Sequence, residues 1–289
     1  MTTYPAIIKD IRRLLNDTPL EDQVTTAPTT TAGTTMVVAT IGAWRAGQWW
    51  EFQDGDATGA EIVYVSSVEE STSTPTVRRA FKGSTAVTHS NNAYAAQEPR
   101  FTYDKLKQAV DTVLDRDLYA NDVYAITTHQ VTYSVSSWAY PAPSATCERL
   151  LNIYQFPADT DEPVPIVNFT PYTAGDATLW ATGKRFCLYE NQAGTGGIYY
   201  VNCAHKPTIS TLSTAQEKLV HFKAAAYLLE WEEPRRAAGP ANQGDQTVRV
   251  GDQARLGAYY NEQFMRGCRD EAAYLKRLTP SRRWFKRGT

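Results

Sequence analysis

The chain of 289 residues is 42% hydrophobic and 21% charged, which is enough apolar material to bury a core and excludes a wholly disordered protein. Its 29 basic residues balance 31 acidic ones to a net charge of -2, so no global field attracts nucleic acid or an anionic membrane, and any such binding has to be local. No apolar run reaches the roughly 18 residues that a bilayer span needs, and MTTYPAIIKDIRRLL mixes its charges into an apolar stripe instead of placing them ahead of it, so the expectation is a protein made in the cytoplasm.

At the N-terminus, Ile7, Ile8, Ile11, Leu14 and Leu15 recur at helical spacing, with Pro5 near the first turn, and predict a short amphipathic helix over residues 4–16. Its stripe needs a partner from elsewhere in the chain. The Thr-rich run VTTAPTTTAGTT buries little, and MVVATIG, WWEFQDGDATGAEIVYVSSVEE and TPTVRRAFKGSTAVTH then read as short strands broken by Gly and Asp. Within EIVYVSSV, alternation puts Ile62, Tyr64 and Ser66 on one face and Val63, Val65 and Ser67 on the other. Residues 35–96 thus predict a small β-barrel or sandwich.

A second helix follows, in which Leu106, Ala109, Val110, Val113, Leu114 and Leu118 form one stripe. β character returns in VYAITTHQVTYSV, ERLLNIYQF, VPIVNFTPY, TLWATGKRFCLYE and GIYYVNCAH, which predict a second sandwich. Ser213 and Gln216 have capping-box spacing ahead of a helix with Leu219, Phe222, Ala226 and Leu229 on one face, ending near Pro234. A polar link, RRAAGPANQGD, leads to a last long helix over 248–278, stopped by Pro280.

Four helices with unpaired stripes predict an α+β fold: an antiparallel bundle of four helices from distant segments, carrying two inserted β-barrel or β-sandwich modules. The expected divisions are an N-terminal bundle helix at 1–24, a first β module at 25–98, a middle bundle helix at 99–121, a second β-sandwich module at 122–211, a C-terminal helical pair at 212–279 and a basic aromatic tail at 280–289.

RFTYDKLKQAVDTVLDRDLY, the C-terminal helical pair with its polar link, and the turn RAFKGSTAVTH together resemble the head-to-tail connector proteins of tailed bacteriophages, in the form whose helices carry β insertions. The resemblance covers roughly two thirds of the chain, and residues 122–210 depart from it. It implies a ring, usually of twelve copies, that sits at the virion neck beneath the portal protein, meets a downstream neck or tail-completion protein, and passes the genome through its channel. Carried onto this chain, the docking segment is Arg277 to Thr289.

Read on its own residues, LKRLTPSRRWFKRGT holds Lys276, Arg277, Arg282, Arg283, Lys286 and Arg287 together with Trp284 and Phe285, residue types that dominate interface hot spots. A portal-docking interface of Arg277, Arg282, Arg283, Trp284, Phe285, Lys286 and Arg287 is therefore expected. A solvated tail ranks next, and non-specific contact with genomic DNA after it. An alternative function, a tail or baseplate protein binding carbohydrate or a receptor, rests on the aromatics Trp44, Trp49, Trp50, Trp138 and Trp180.

Other motifs point away from chemistry. DGDATGAE opens like a calcium loop through Asp54, Asp56, Thr58 and Gly59, but the twelfth position is Val65 where a bidentate Glu belongs, so a hairpin turn is expected. AGTGG at 193–197 leads into a strand and not into the helix a phosphate loop needs. His89, His129, His205 and His221 show no HxxxH or HExxH spacing. Cys147, Cys187, Cys203 and Cys268 contain no CxxC pair, and in the reducing compartment expected for this chain they are expected to be free thiols. No catalytic residue, cofactor, metal or membrane contact is expected, and the chain is expected not to be an enzyme.

Overall fold

The computed structural model describes residues 3–27, 32–52, 60–132, 139–144, 146–155, 164–166, 169–174, 184–188, 198–237 and 252–278. The chain divides into two compact units, residues 1–113 with 217–264, and residues 114–216 with 265–289.

The first unit is built on a six-stranded antiparallel sheet of β1 (Glu21–Thr26), β2 (Val37–Val38), β3 (Trp49–Phe52), β4 (Ile62–Glu69), β5 (Thr74–Arg78) and β6 (Ala93–Gln97), in the order β2-β1-β6-β3-β4-β5. The edges β2 and β5 meet: the Val38 N–H donates to the Ser73 carbonyl at 3.1 Å, and Thr35 bridges to Thr76, so the sheet closes nearly into a barrel. Its core is drawn from residues 24–95, with Val24, Val38, Phe52, Val63, Val65 and Val77 lining it. At its centre Trp44 stacks on Trp50 with ring centroids 4.0 Å apart, and the Trp44 indole N–H donates to the buried Asp22 at 2.8 Å. The expected alternation in β4 holds only to Val65. A bulge against β5 between Val65 and Ser67 shifts the phase, so that Val68, not Ser67, packs on the core. The Thr-rich run was expected to bury little, yet its first three residues, Val24 to Thr26, end β1, and Val24 is fully buried.

Helix α1 (Tyr4–Leu14) buries Ile7, Ile8 and Ile11, with Pro5 in its first turn. Helix α2 (Tyr103–Thr112) continues through a π turn at Val113–Asp117 into one last turn at Leu118–Ala120, and its whole predicted stripe is buried. The sequence pattern placed these stripes in a four-helix bundle carrying β modules, and that architecture is not the one found. The four helices of the described residues accompany an antiparallel sheet fold with thirteen strands. Periodicity shows that a stripe must be covered but not what covers it. Here α1 and α2 are tied to the barrel: Arg12 of α1 donates to Glu51 of β3 at 2.9 Å, Glu51 also accepts from the Tyr103 N–H at 2.7 Å, and Asp104 accepts from the Ala60 N–H at 3.0 Å.

Helix α3 (Thr214–Ala237) runs past Pro234, and α4 is described over Asp252–Leu278, the expected first residues 248–251 lying outside the described residues. In the first unit they approach closely at Gly257, where a Cβ would lie 3.5 Å from the Ala226 carbonyl, and Lys223 donates to Asn261 at 2.7 Å. Tyr260 of α4 donates its hydroxyl to the Leu14 carbonyl at 3.0 Å.

The second unit holds two antiparallel sheets. One orders β10 (Val164–Ile166), β9 (Arg149–Gln155), β13 (Ile198–His205) and β7 (Ala125–Thr132); the other orders β11 (Phe169–Ala174), β12 (Lys184–Leu188) and β8 (Ala139–Pro141). They share one core, in which Tyr140, Phe169 and Phe186 of the three-stranded sheet meet Ile153, Tyr199 and Val201 of the four-stranded one, which makes a sandwich. Leu275 of α4 packs with Tyr124 and Ala204 in a second, smaller cluster. The predicted capping box forms: the Gln216 N–H donates to Ser213 Oγ and the Ser213 N–H to Gln216 Oε1, both at 3.2 Å.

Candidate interaction surface and a histidine-cysteine cluster

Of the residues expected to dock on a partner, Arg277 sits exposed in the last turn of α4. Arg282, Arg283, Trp284, Phe285, Lys286 and Arg287 lie outside the described residues. The helix that carries Arg277 is two-sided. Phe264, Cys268, Ala272 and Leu275 are buried at spacings of three and four, while Tyr274 and Leu278, one turn apart, are 54% and 52% exposed. Leu256 and Tyr259 are likewise exposed near the start of the helix. Lys276, counted with the basic tail, instead pairs with Asp122 at 3.3 Å, and Arg149 holds the same carboxylate at 3.3 Å.

No protein-family model matches this sequence, and no curated protein is similar to it. The functional reading therefore rests on the residues themselves.

The turn RAFKGSTAVTH is anchored from inside. Glu61, wholly buried, accepts from Arg79 Nε at 2.6 Å, from the Ala80 and Val87 N–H groups at 3.1 Å each, and faces His89 Nε2 at 2.9 Å. Burial pushes its carboxyl up, but Arg79, His89 and the two backbone donors together hold it down at about 2. Ala80 (φ 53°) and Lys82 (φ 52°) both stand in the left-handed region, a conformation that only a well-anchored turn maintains in residues with a Cβ. Glu61 is thus committed to this network. Residues 54–59 of the calcium-like stretch lie outside the described residues, as does AGTGG.

Glu51 is the opposite case. Burial raises its carboxyl to about 7, with Arg12 and the Tyr103 N–H opposing that rise without cancelling it. Both carboxylates fasten secondary structure, and neither opens into a cleft. Of the tryptophans named for sugar stacking, Trp44 and Trp50 are core residues, Trp49 lies beneath Lys82, whose ammonium is 3.6 Å from the ring centroid, and Trp138 and Trp180 lie outside the described residues.

The feature that spacing did not reveal is in the second unit. Cys147 and Cys203 form a disulfide with Cα atoms 5.6 Å apart, which corrects the expectation of free thiols for that pair; Cys187 and Cys268 are buried and outside any disulfide. Beside it, His129 of β7 and His205 of β13 face each other with ring centroids 5.9 Å apart. His129, Cys203 and His205 each present a donor atom, all within 4.8 Å of one another. Burial lowers the His129 pKa, and the neighbouring His205 lowers it further. The available signal was Cys203 and His205 two positions apart on one strand, which a period of two places on the same face.

Proposed function

We propose that this protein is a structural, non-enzymatic virion component of a tailed bacteriophage: a head-to-tail adaptor that forms a ring beneath the portal and passes the genome through its channel. The observation that carries the reading is the outward side of the end of α4, where Tyr274 and Leu278 are each more than half exposed immediately ahead of the segment with Trp284, Phe285 and four basic residues. Large apolar side chains gathered beside a basic aromatic segment are suited to burial against a protein partner. Neighbouring copies, twelve by the family resemblance, the portal protein and a downstream neck or tail-completion protein are the partners this assigns, with DNA contact confined to the channel. The place of action is the virion neck, after synthesis in the host cytoplasm.

Negative-stain electron microscopy of the purified full-length protein tests the reading. Closed rings with an open centre are expected, alone or on addition of the portal. A chain that stays monomeric with and without portal overturns it. Binding to glycans by such a monomer would move the assignment to a tail or baseplate protein.

A further inference from the structure

The pairing of β7 with β13 sets His129 opposite Val201 and His205 opposite Ala125, so His129, Val201, Cys203 and His205 all share the face that carries the sandwich core. Cys147 joins them through its bond to Cys203. Among the described residues, neither His129 Nε2 nor His205 Nε2 has a hydrogen-bond partner, although both atoms are buried. A buried imidazole nitrogen left unsatisfied is costly, and two such atoms beside one sulfur pair are more than packing requires. His205 is also held at its other nitrogen: Nδ1 lies 3.0 Å from the Thr146 carbonyl and 3.1 Å from the Thr146 hydroxyl, and with Nδ1 donating to the carbonyl the Nε2 lone pair is the one left to bind. A backbone carbonyl holding the far nitrogen is how metal-bound histidines are commonly fixed.

We propose that, with the Cys147–Cys203 bond reduced, Cys147, Cys203, His129 and His205 hold one zinc ion in a tetrahedral two-sulfur, two-nitrogen site. The donor set and its closed, fully protein-supplied geometry are those of a structural zinc. Donors that lie about 2.0–2.3 Å from zinc are roughly 3.3–3.8 Å from each other. His129, Cys203 and His205 already lie within 4.8 Å of one another, and Cys147, once released from Cys203, supplies the fourth donor. A thiol reductant of the cytoplasm supplies two electrons and two protons to the disulfide and is itself oxidised to a disulfide. Zinc then displaces the two thiol protons to solvent, and the imidazoles bind as neutral ligands through Nε2. The two states are exclusive, because a sulfur in a disulfide has no thiolate to give. Either state ties β13 to the segment that enters β9, but only zinc also ties in β7.

The test uses the full-length chain purified with a thiol reductant and no chelator. One equivalent of zinc per chain is expected, and cobalt in its place should give thiolate-to-metal charge-transfer absorption with the visible bands of a tetrahedral ion. The oxidised protein should bind neither metal. His129→Gln and His205→Gln should each weaken zinc binding by about 100-fold or more and remove the tetrahedral cobalt spectrum. Cys187→Ser and Cys268→Ser, at thiols outside the cluster, should leave both unchanged. Should replacement of Cys147 or Cys203 prevent folding, the two histidine variants decide the matter. A reduced, folded chain that binds no zinc, or whose zinc survives both histidine substitutions, overturns the proposal.

Discussion

Arg79 grips Glu61 through two nitrogens, its Nε at 2.6 Å and its Nη2 at 2.5 Å from the two carboxylate oxygens, in a pair almost wholly removed from water. The same carboxylate receives the Ala80 and Val87 N–H groups, so one side chain of the barrel wall determines the shape of the turn that follows β5. Glu61→Ala leaves Arg79 buried without its counter-charge. A loss of roughly 3–5 kcal/mol is expected. Urea denaturation followed by tryptophan fluorescence measures it, and a change under 1 kcal/mol would show that the turn is held by other contacts.

The two buried carboxylates predict opposite pH dependences. Glu61 has a folded pKa of about 2, below the ordinary carboxylate value of 4.5, so its contribution is present above pH 4.5 and is lost as pH falls toward 2. Glu51, raised to about 7, contributes fully below pH 4.5 and loses that contribution as pH rises through 7. Each window spans on the order of 3 kcal/mol. Glu51→Gln should therefore flatten the decline between pH 5 and 8 without altering the acid limb, which denaturation midpoints across pH resolve. An unchanged slope in the variant would place the neutral-pH titration elsewhere.

How much of this was readable in advance follows from what each pattern encodes. The Ile7, Ile8, Ile11 stripe and the Ser213–Gln216 box are local, and both are present. Strand β1 was hidden because EDQVTT offers one wholly apolar residue, Val24, and pairing with β6 and β2 supplies the rest. The bundle was misread for a related reason: Arg12, buried beside the apolar stripe of α1, is a charged residue that only a partner such as Glu51 makes tolerable, and nothing local to α1 points to β3. The disulfide and the facing histidines depend on strand register between distant segments, which spacing along the chain does not carry.

The barrel core should be sensitive at its centre. Trp50 is fully buried and stacked on Trp44, so Trp50→Ala removes a large side chain from a closed space and leaves the Trp44 ring without its neighbour. About 3–5 kcal/mol of destabilisation is expected from thermal or urea unfolding. Near-ultraviolet circular dichroism should lose the signal of the tryptophan pair. Retention of both stability and that signal would contradict the stacked arrangement.

The Cys147–Cys203 bond spans 56 positions, a loop whose closure in the unfolded chain is worth about 4 kcal/mol in the chain-entropy view. Reduction in the presence of a chelator should therefore lower the stability of the second unit by up to that amount. Hydrogen exchange of β7, β9 and β13 reports it directly. Equal protection in the oxidised and the reduced, metal-free protein would mean that the sandwich core alone sustains these strands.

The end of α4 separates assembly from folding. Leu275 points inward to Tyr124 and Ala204, whereas Tyr274 and Leu278 are mostly in solvent, so changing the outward pair removes little that folding depends on. Tyr274→Ser with Leu278→Ser should leave the melting temperature within a degree or two, because exposed positions usually shift stability by less than about 0.5 kcal/mol. Leu275→Ala, on the buried side, should cost roughly 2–5 kcal/mol. If the outward pair belongs to a subunit or portal interface, the double variant weakens association by about 2 kcal/mol or more, which sedimentation velocity reads as a loss of rings at concentrations where the wild type assembles. A double variant that still forms rings and binds portal at wild-type concentrations would remove this surface from the assembly and with it the observation on which the adaptor reading stands.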